Sequence, residues 1–185
     1  SQDSVNLSGG WHITTEDGLT GQWIMVEKHF AVTFYKGNEF KYTYGGSWNL
    51  TDNNQIQLHY EFHTDNKDKV GQTEKLEYAL KGKKLEIGGL TWKRTDNNKP
   101  GDLAGAWVIT GRERNGEMNT MTPGARKTMK ILSGTYFQWI AYNSETGDFR
   151  GTGGGNYTTN DGQYTEIIKF FSRDSNRVGA ELVFN

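Results

Sequence analysis

The stretch Glu39-Phe40-Lys41-Tyr42-Thr43-Tyr44-Gly45-Gly46-Ser47-Trp48 decides the fold, because it is met again as Asp148-Phe149-Arg150-Gly151-Thr152-Gly153-Gly154-Gly155-Asn156-Tyr157. Acidic, Phe, basic, Thr, Gly-Gly and aromatic residues keep their order in both. Self-similarity of this kind marks a repeated structural unit. Upstream, His29 to Tyr35 parallels Tyr136 to Tyr142, and Leu7-Ser8-Gly9-Gly10-Trp11 parallels Leu103-Ala104-Gly105-Ala106-Trp107. Downstream, Gln55 to Phe62 aligns with Tyr164 to Phe171, and Val70-Gly71 with Val178-Gly179. Two copies of one module explain these echoes better than chance. Between them, Thr95-Asp96-Asn97-Asn98-Lys99-Pro100-Gly101-Asp102 is polar, carries Pro-Gly and reads as a linker that does not pack. The boundary falls near residue 100, and the expected units are 1–98 and 99–185.

Within each unit the elements read as strands. Ile56, Leu58, Tyr60 and Phe62 alternate with Gln57, His59, Glu61 and His63, the period of a half-buried antiparallel strand. Turn residues punctuate the rest, as in Lys36-Gly37-Asn38, Lys81-Gly82-Lys83 and Asn160-Asp161-Gly162. With 24 Gly against 2 Pro and 13% aromatics, short strands joined by tight turns are favoured over helices. Thr122 to Lys127 is too short and too marked by Pro and Gly to hold a helix, and reads as a loop.

A net charge of −1 with both signs interspersed leaves no electrostatic footprint for nucleic acid or an anionic membrane. No run approaches the roughly 20 apolar residues of a spanning helix, and Ser1 to Leu7 carry no charged-then-apolar leader, so a soluble chain is expected. The absence of cysteine removes disulfides, thiolate metal sites and cysteine catalysis without deciding the compartment. Asn-x-Ser/Thr tripeptides at Asn6, Asn49 and Asn156 arise easily in a chain this rich in Asn and Thr.

Leu7 to Arg94 can supply roughly seven or eight strands, about the number at which a sheet closes around side chains or one small ligand. Gly9-Gly10-Trp11 on the first strand and Arg94 on the last resemble the signature shared by lipocalins and other calycins. The resemblance implies a meander barrel whose base Trp11 closes, with Arg94 stacked across it. Gly105 and Trp107 would do the same in the second copy. That copy ends opposite about Tyr78, with no counterpart to Lys83 through Arg94, so its last strands are expected to be missing. It is then open, completed by strands from elsewhere, or continued in a longer natural chain; alternatively both repeats share one larger barrel or sandwich. Gly153 to Tyr157 followed by Asp161 to Glu166 is similar to a pattern of secreted, lipocalin-like bacterial proteins of unknown function. This similarity covers only the second copy, implies a secreted or periplasmic location, and brings no activity with it.

The expected role is a non-catalytic binding protein for a small apolar or aromatic ligand, without cofactor or metal. Trp23, Phe34, Trp48, Trp139 and Tyr157 are candidates to line a cavity, with Glu166 and Lys169 as polar groups within it. Lys169, aligned with Tyr60, is expected to point inward to an acidic ligand, an internal carboxylate or the barrel mouth. Ile168 and Phe170 are expected on an outer face, packed on the first copy or on a second subunit as a homodimer. Gly151, Gly153, Gly154 and Gly155 lack the Lys-Ser/Thr and the helix of a phosphate loop, and are read as bends in a strand. His59, Glu61 and His63 share a face at metal-ligand spacing, but that face is expected toward solvent. Two other classes stay open: a protein- or glycan-interaction module with filled barrels, and a carboxylate-dependent hydrolase or isomerase using Asp148 and Glu166.

Overall fold

The computed structural model describes residues 6–99, 103–108, 111–114, 117–120, 126–143, 145–146 and 148–184. Eight strands come first: β1 (Gly9–Thr14), β2 (Thr20–Val26), β3 (His29–Lys36), β4 (Glu39–Leu50), β5 (Gln55–His63), β6 (Thr73–Lys81), β7 (Lys84–Ile87) and β8 (Leu90–Asp96). Each pairs antiparallel with the next, and β8 returns to β1 with Trp11 opposite Arg94, so the sheet closes into a barrel. Closure leaves no free edge. Alternation sets the filling: Phe30, Val32 and Phe34 point inward among Trp11, Trp23, Leu58, Leu85 and Trp92. Among the described residues no helix is long and apolar enough to cross a membrane.

The remaining strands form a second unit. β9 (Gly105–Val108), β12 (Arg126–Leu132), β13 (Tyr136–Asn143), β14 (Phe149–Asn160), β15 (Gln163–Phe171) and β16 (Glu181–Phe184) make one sheet in the order β16-β15-β14-β13-β12-β9. β10 (Gly111–Arg114) and β11 (Glu117–Thr120) form a separate hairpin. Where a second barrel was expected, the described residues form an open six-stranded sheet. Thr122 to Ala125 lie outside the described residues, while Arg126 and Lys127 begin β12 rather than ending a loop.

Two bulges redirect the side chains. On β4 the neighbours Gly45 and Gly46 face Phe62 and Tyr60, so Glu61 is an extra residue on β5. An extra residue reverses the alternation beyond it. Tyr60 therefore packs inside the barrel, Phe62 joins a cluster on its outer wall, and His63 turns back to the interior end. His59, Glu61 and His63 do not share one face. In β15 the same device recurs: Gly154 and Gly155 face Phe170 and Ile168, with Lys169 as the extra residue. The glycines are required by close approach. A Cβ on Gly46 would sit 2.0 Å from the His59 carbonyl oxygen, and one on Gly155 would sit 2.1 Å from that of Ile167.

The bulge also corrects the expected register. Tyr60 has Ile168 rather than Lys169 as its counterpart, because the pairing is shifted by one residue from the sequence alignment. Lys169 is accordingly exposed instead of inward. Ile168 and Phe170 do not share an outer face: Phe170 lies against Tyr35 of the barrel with ring centroids 5.5 Å apart, whereas Ile168 packs with Leu132, Phe137 and Tyr157 on the sheet's other face.

One face of the open sheet lies on the barrel wall. Met129, Ile131, Ile140 and Tyr142 pack against Ile24, Val26, Ala31 and Phe62. Within this seam the fully buried Gln138 accepts from the Thr33 hydroxyl at 3.0 Å and donates to the hydroxyls of Thr43 and Thr152 at 3.0 and 2.9 Å. Thr95 and Asp96, expected in a linker that does not pack, instead hold the seam. Asp96 accepts from the backbone N–H of Gly10, Asn98 and Gly134 and from the Ser133 hydroxyl. Thr95 meets both His12 and the Tyr136 hydroxyl. A carboxylate with this many donors is satisfied without water.

Candidate functional site

The barrel core does not fill its own interior. A half-enclosed cavity of about 330 Å³ lies at one end, walled by Trp23, Trp92, Leu58, Tyr42, Tyr44 and Tyr60. Its polar side is built by the segment after β5, where Asn66 caps a short 3-10 turn (Lys67–Lys69) by accepting from the Asp68 N–H at 3.1 Å. The turn holds Lys69 over the Tyr60 ring, 5.7 Å from its centroid, and within 3.1 Å of a Glu74 carboxylate oxygen. Lys69 and Glu74 both line the cavity.

His63 reaches this space because of the bulge at Glu61. Its ring stacks on Tyr44 with centroids 4.9 Å apart, and its Nδ1 accepts the Asn66 N–H at 2.9 Å. Burial, followed by the Lys69 charge, holds the imidazole below its ordinary pKa. Burial, then the Glu74 carboxylate, pushes the Tyr60 phenol up to about 12. Burial likewise raises Tyr44 and Tyr42. Around neutral pH the phenols are therefore protonated and the imidazole uncharged, beside the Lys69–Glu74 ion pair and the Asp65 side chain. This is an apolar and aromatic wall with a few convergent polar groups, the usual chemistry of a small-molecule site.

Of the residues expected to line a cavity, Trp23 alone borders this one. Phe34 is core, edge-on to Trp92 at 5.6 Å. Trp48 packs at the core margin and donates its indole N–H to the His29 carbonyl. Trp139, Tyr157 and Glu166 belong to the open sheet, on the face away from the barrel. There Glu166 accepts from Lys130 Nζ and from the Tyr164 hydroxyl, both at 2.5 Å, beneath an open apolar hollow lined by Leu103, Trp107, Lys130, Leu132 and Tyr164. Trp107 is 44% exposed, whereas Trp11 is fully buried beneath Arg94. Asp148 and Glu166 are not brought together as a catalytic pair. Asp148 precedes β14 and is bound to Lys67 at 3.1 Å, while Glu166 lies opposite Tyr157 toward the far end of that strand.

Tyr42, Tyr44, His63, Lys69, Glu74 and Trp92 went unrecognised as a group. Tyr42 and Tyr44 alternate inside the very stretch that marks the repeat, a signal that pointed to one shared face. His63 carried no such signal, since only the bulge turns it inward. No family model matches the chain, and no similar curated protein or solved structure was found.

Proposed function

We propose that the chain is a non-catalytic binding protein whose barrel holds one small, largely aromatic ligand in the cavity at Trp23, Tyr44 and Tyr60. The observation that carries this reading is that about 330 Å³ of aromatic-walled space persists inside a closed barrel whose other interior positions are packed. The reading includes descent of both units from one module. Its support is the recurrence of paired glycines against a bulge at Gly45-Gly46 and Gly154-Gly155, and of capped 3-10 turns at Asn66 and Asp174. A location outside the cytoplasm belongs to the same reading on the resemblance to lipocalin-like secreted proteins alone.

Native mass spectrometry of protein purified without denaturation tests it. A bound small molecule that is lost on replacing Tyr44 or Tyr60 with a larger or charged side chain supports the reading. A ligand-free protein that takes up no aromatic probe removes it.

A second reading, an interaction module, rests on a different observation. Of the four exposed large apolar side chains among the described residues, Trp107, Val183 and Phe184 lie on β9 and β16, the two edges of the open sheet. Unpaired apolar edges invite strand addition. Light scattering after chromatography would show a concentration-dependent mass if these edges associate, and a constant single-chain mass if they do not.

A further inference from the structure

The barrel cavity already holds one cation. Nζ of Lys69 sits over the Tyr60 ring, 5.7 Å from its centroid, and 3.1 Å from a Glu74 carboxylate oxygen, and all three residues line the space. A π face beside a carboxylate is a setting that attracts ammonium groups. A second setting of the same kind stands open. Asp65 is exposed and lines the same cavity, and no hydrogen bond or ion pair among the described residues holds its carboxylate. Its charge reaches the aromatic wall: after burial, Asp65 and then Asp17 raise the Tyr42 phenol, and after burial and the neighbouring phenols, Glu74 and Asp65 raise that of Tyr44. The charge of the cavity is negative on balance. Two carboxylates, Asp65 and Glu74, stand against the one ammonium of Lys69, while burial and then Lys69 keep His63 uncharged around neutral pH. The π faces of the tyrosines carry the same sign. An anion therefore meets a carboxylate and finds no free cation, and a neutral occupant leaves the Asp65 charge unused. At about 330 Å³ the space is at the small end of ligand pockets, which limits the occupant to one compact molecule.

Resting on the binding role argued above, we infer that the ligand is a small aromatic cation, a protonated amine whose charge is held by the Asp65 carboxylate and the tyrosine faces and whose ring fills the aromatic space beneath. Lys69 keeps Glu74, so the ligand takes the second position and leaves the internal ion pair in place. Removal of the charge from the ligand, or of the carboxylate from Asp65, then leaves only the apolar and aromatic contact.

Three probes of nearly one shape test this on the full chain by isothermal titration calorimetry: naphthylmethylammonium, which carries the charge, naphthylmethanol, its neutral counterpart, and naphthoate, which carries the opposite charge. The ammonium is expected to bind about tenfold tighter than the alcohol, with the carboxylate weakest, and added salt should narrow the gap. Asp65→Asn changes an exposed side chain that no hydrogen bond or ion pair among the described residues uses. It should weaken the ammonium about threefold and leave the alcohol unchanged. An alcohol that binds as tightly as the ammonium, or an ammonium affinity indifferent to Asp65→Asn, overturns the inference and leaves the binding role standing. Binding of none of the three overturns both.

Discussion

The guanidinium carbon of Arg94 lies 4.3 Å from the centre of the Trp11 ring, and the two residues are opposite each other where β8 closes on β1. Arg94 also donates to the carbonyls of Ser8 and Asn6 at 2.9 and 2.6 Å, while the Trp11 indole donates to the Leu7 carbonyl at 3.0 Å. One side chain thus ties the last strand, the first strand and the segment leading into it. The β8–β1 closure is thus both stacked and hydrogen-bonded where Arg94 meets Trp11.

Replacing Arg94 with Ala should lower stability by about 1–3 kcal/mol, the sum of a partly desolvated cation–π contact and hydrogen bonds from a charged donor. Lys at this position should recover only part of the loss, because an ammonium cannot stack flat and reach two carbonyls in one plane. Urea denaturation of the three proteins measures this, and equal midpoints for Arg and Ala would contradict it.

Gly46→Ala and Gly155→Ala should each cost about 3 kcal/mol, since the new Cβ meets a carbonyl oxygen of the partner strand at 2.0 and 2.1 Å and backbone has to move. Gly37→Ala provides the contrast. It adds a methyl where nothing lies within 4 Å, leaving only the left-handed backbone penalty of about 1 kcal/mol. Thermal unfolding should rank the three accordingly.

Gln138→Leu should destabilise by about 1–2 kcal/mol, toward the lower part of the range for a buried hydrogen-bonded group. The cost is limited because each hydroxyl keeps another contact: Thr33 with Thr43, Thr43 to the Val32 carbonyl, and Thr152 to the Trp139 carbonyl. Chemical denaturation with an unchanged m-value would report this loss directly. A gain in stability would show that the polar seam is no better than an apolar one.

Stability should fall as the pH drops below about 6.5, the ordinary value for histidine. His63 and His12 are both held below it, His63 by burial and then Lys69, His12 by burial and then Lys93. The unfolded chain therefore binds protons before the folded one does, so the contribution is complete above the unfolded value and is lost as pH falls through the folded one. Protonation of His63 also removes the acceptor for the Asn66 N–H. His63→Gln should flatten the slope of urea midpoint against pH below about 6.5, and an unchanged slope would assign the effect elsewhere.

Much of the architecture was readable from residue pattern. The period-two runs in His29 to Tyr35 and Gln55 to Phe62 are strands, and the glycine pairs on β4 and β14 face the bulges of β5 and β15. The cavity was readable only in part, because Trp23, Tyr42 and Tyr44 obey the alternation while His63 does not. Phe62 would share the inner side of Tyr60 in an unbroken strand, yet a single extra residue, Glu61, exchanges the two sides, sending Phe62 outward and His63 inward.

The amino-acid sequence by itself determined that this protein is all-β, that its turns fall at Gly, Asn and Asp, and that similar stretches recur along it. These properties are local: they depend on side-chain period and on backbone freedom residue by residue. Tertiary structure alone decided which unit closes, which face Ile168 and Phe170 occupy, and that Asp96 binds four donors instead of floating in a linker. The physical reason is that one extra residue in a strand costs little locally but inverts every contact beyond it, and only the neighbouring strand fixes where that residue falls.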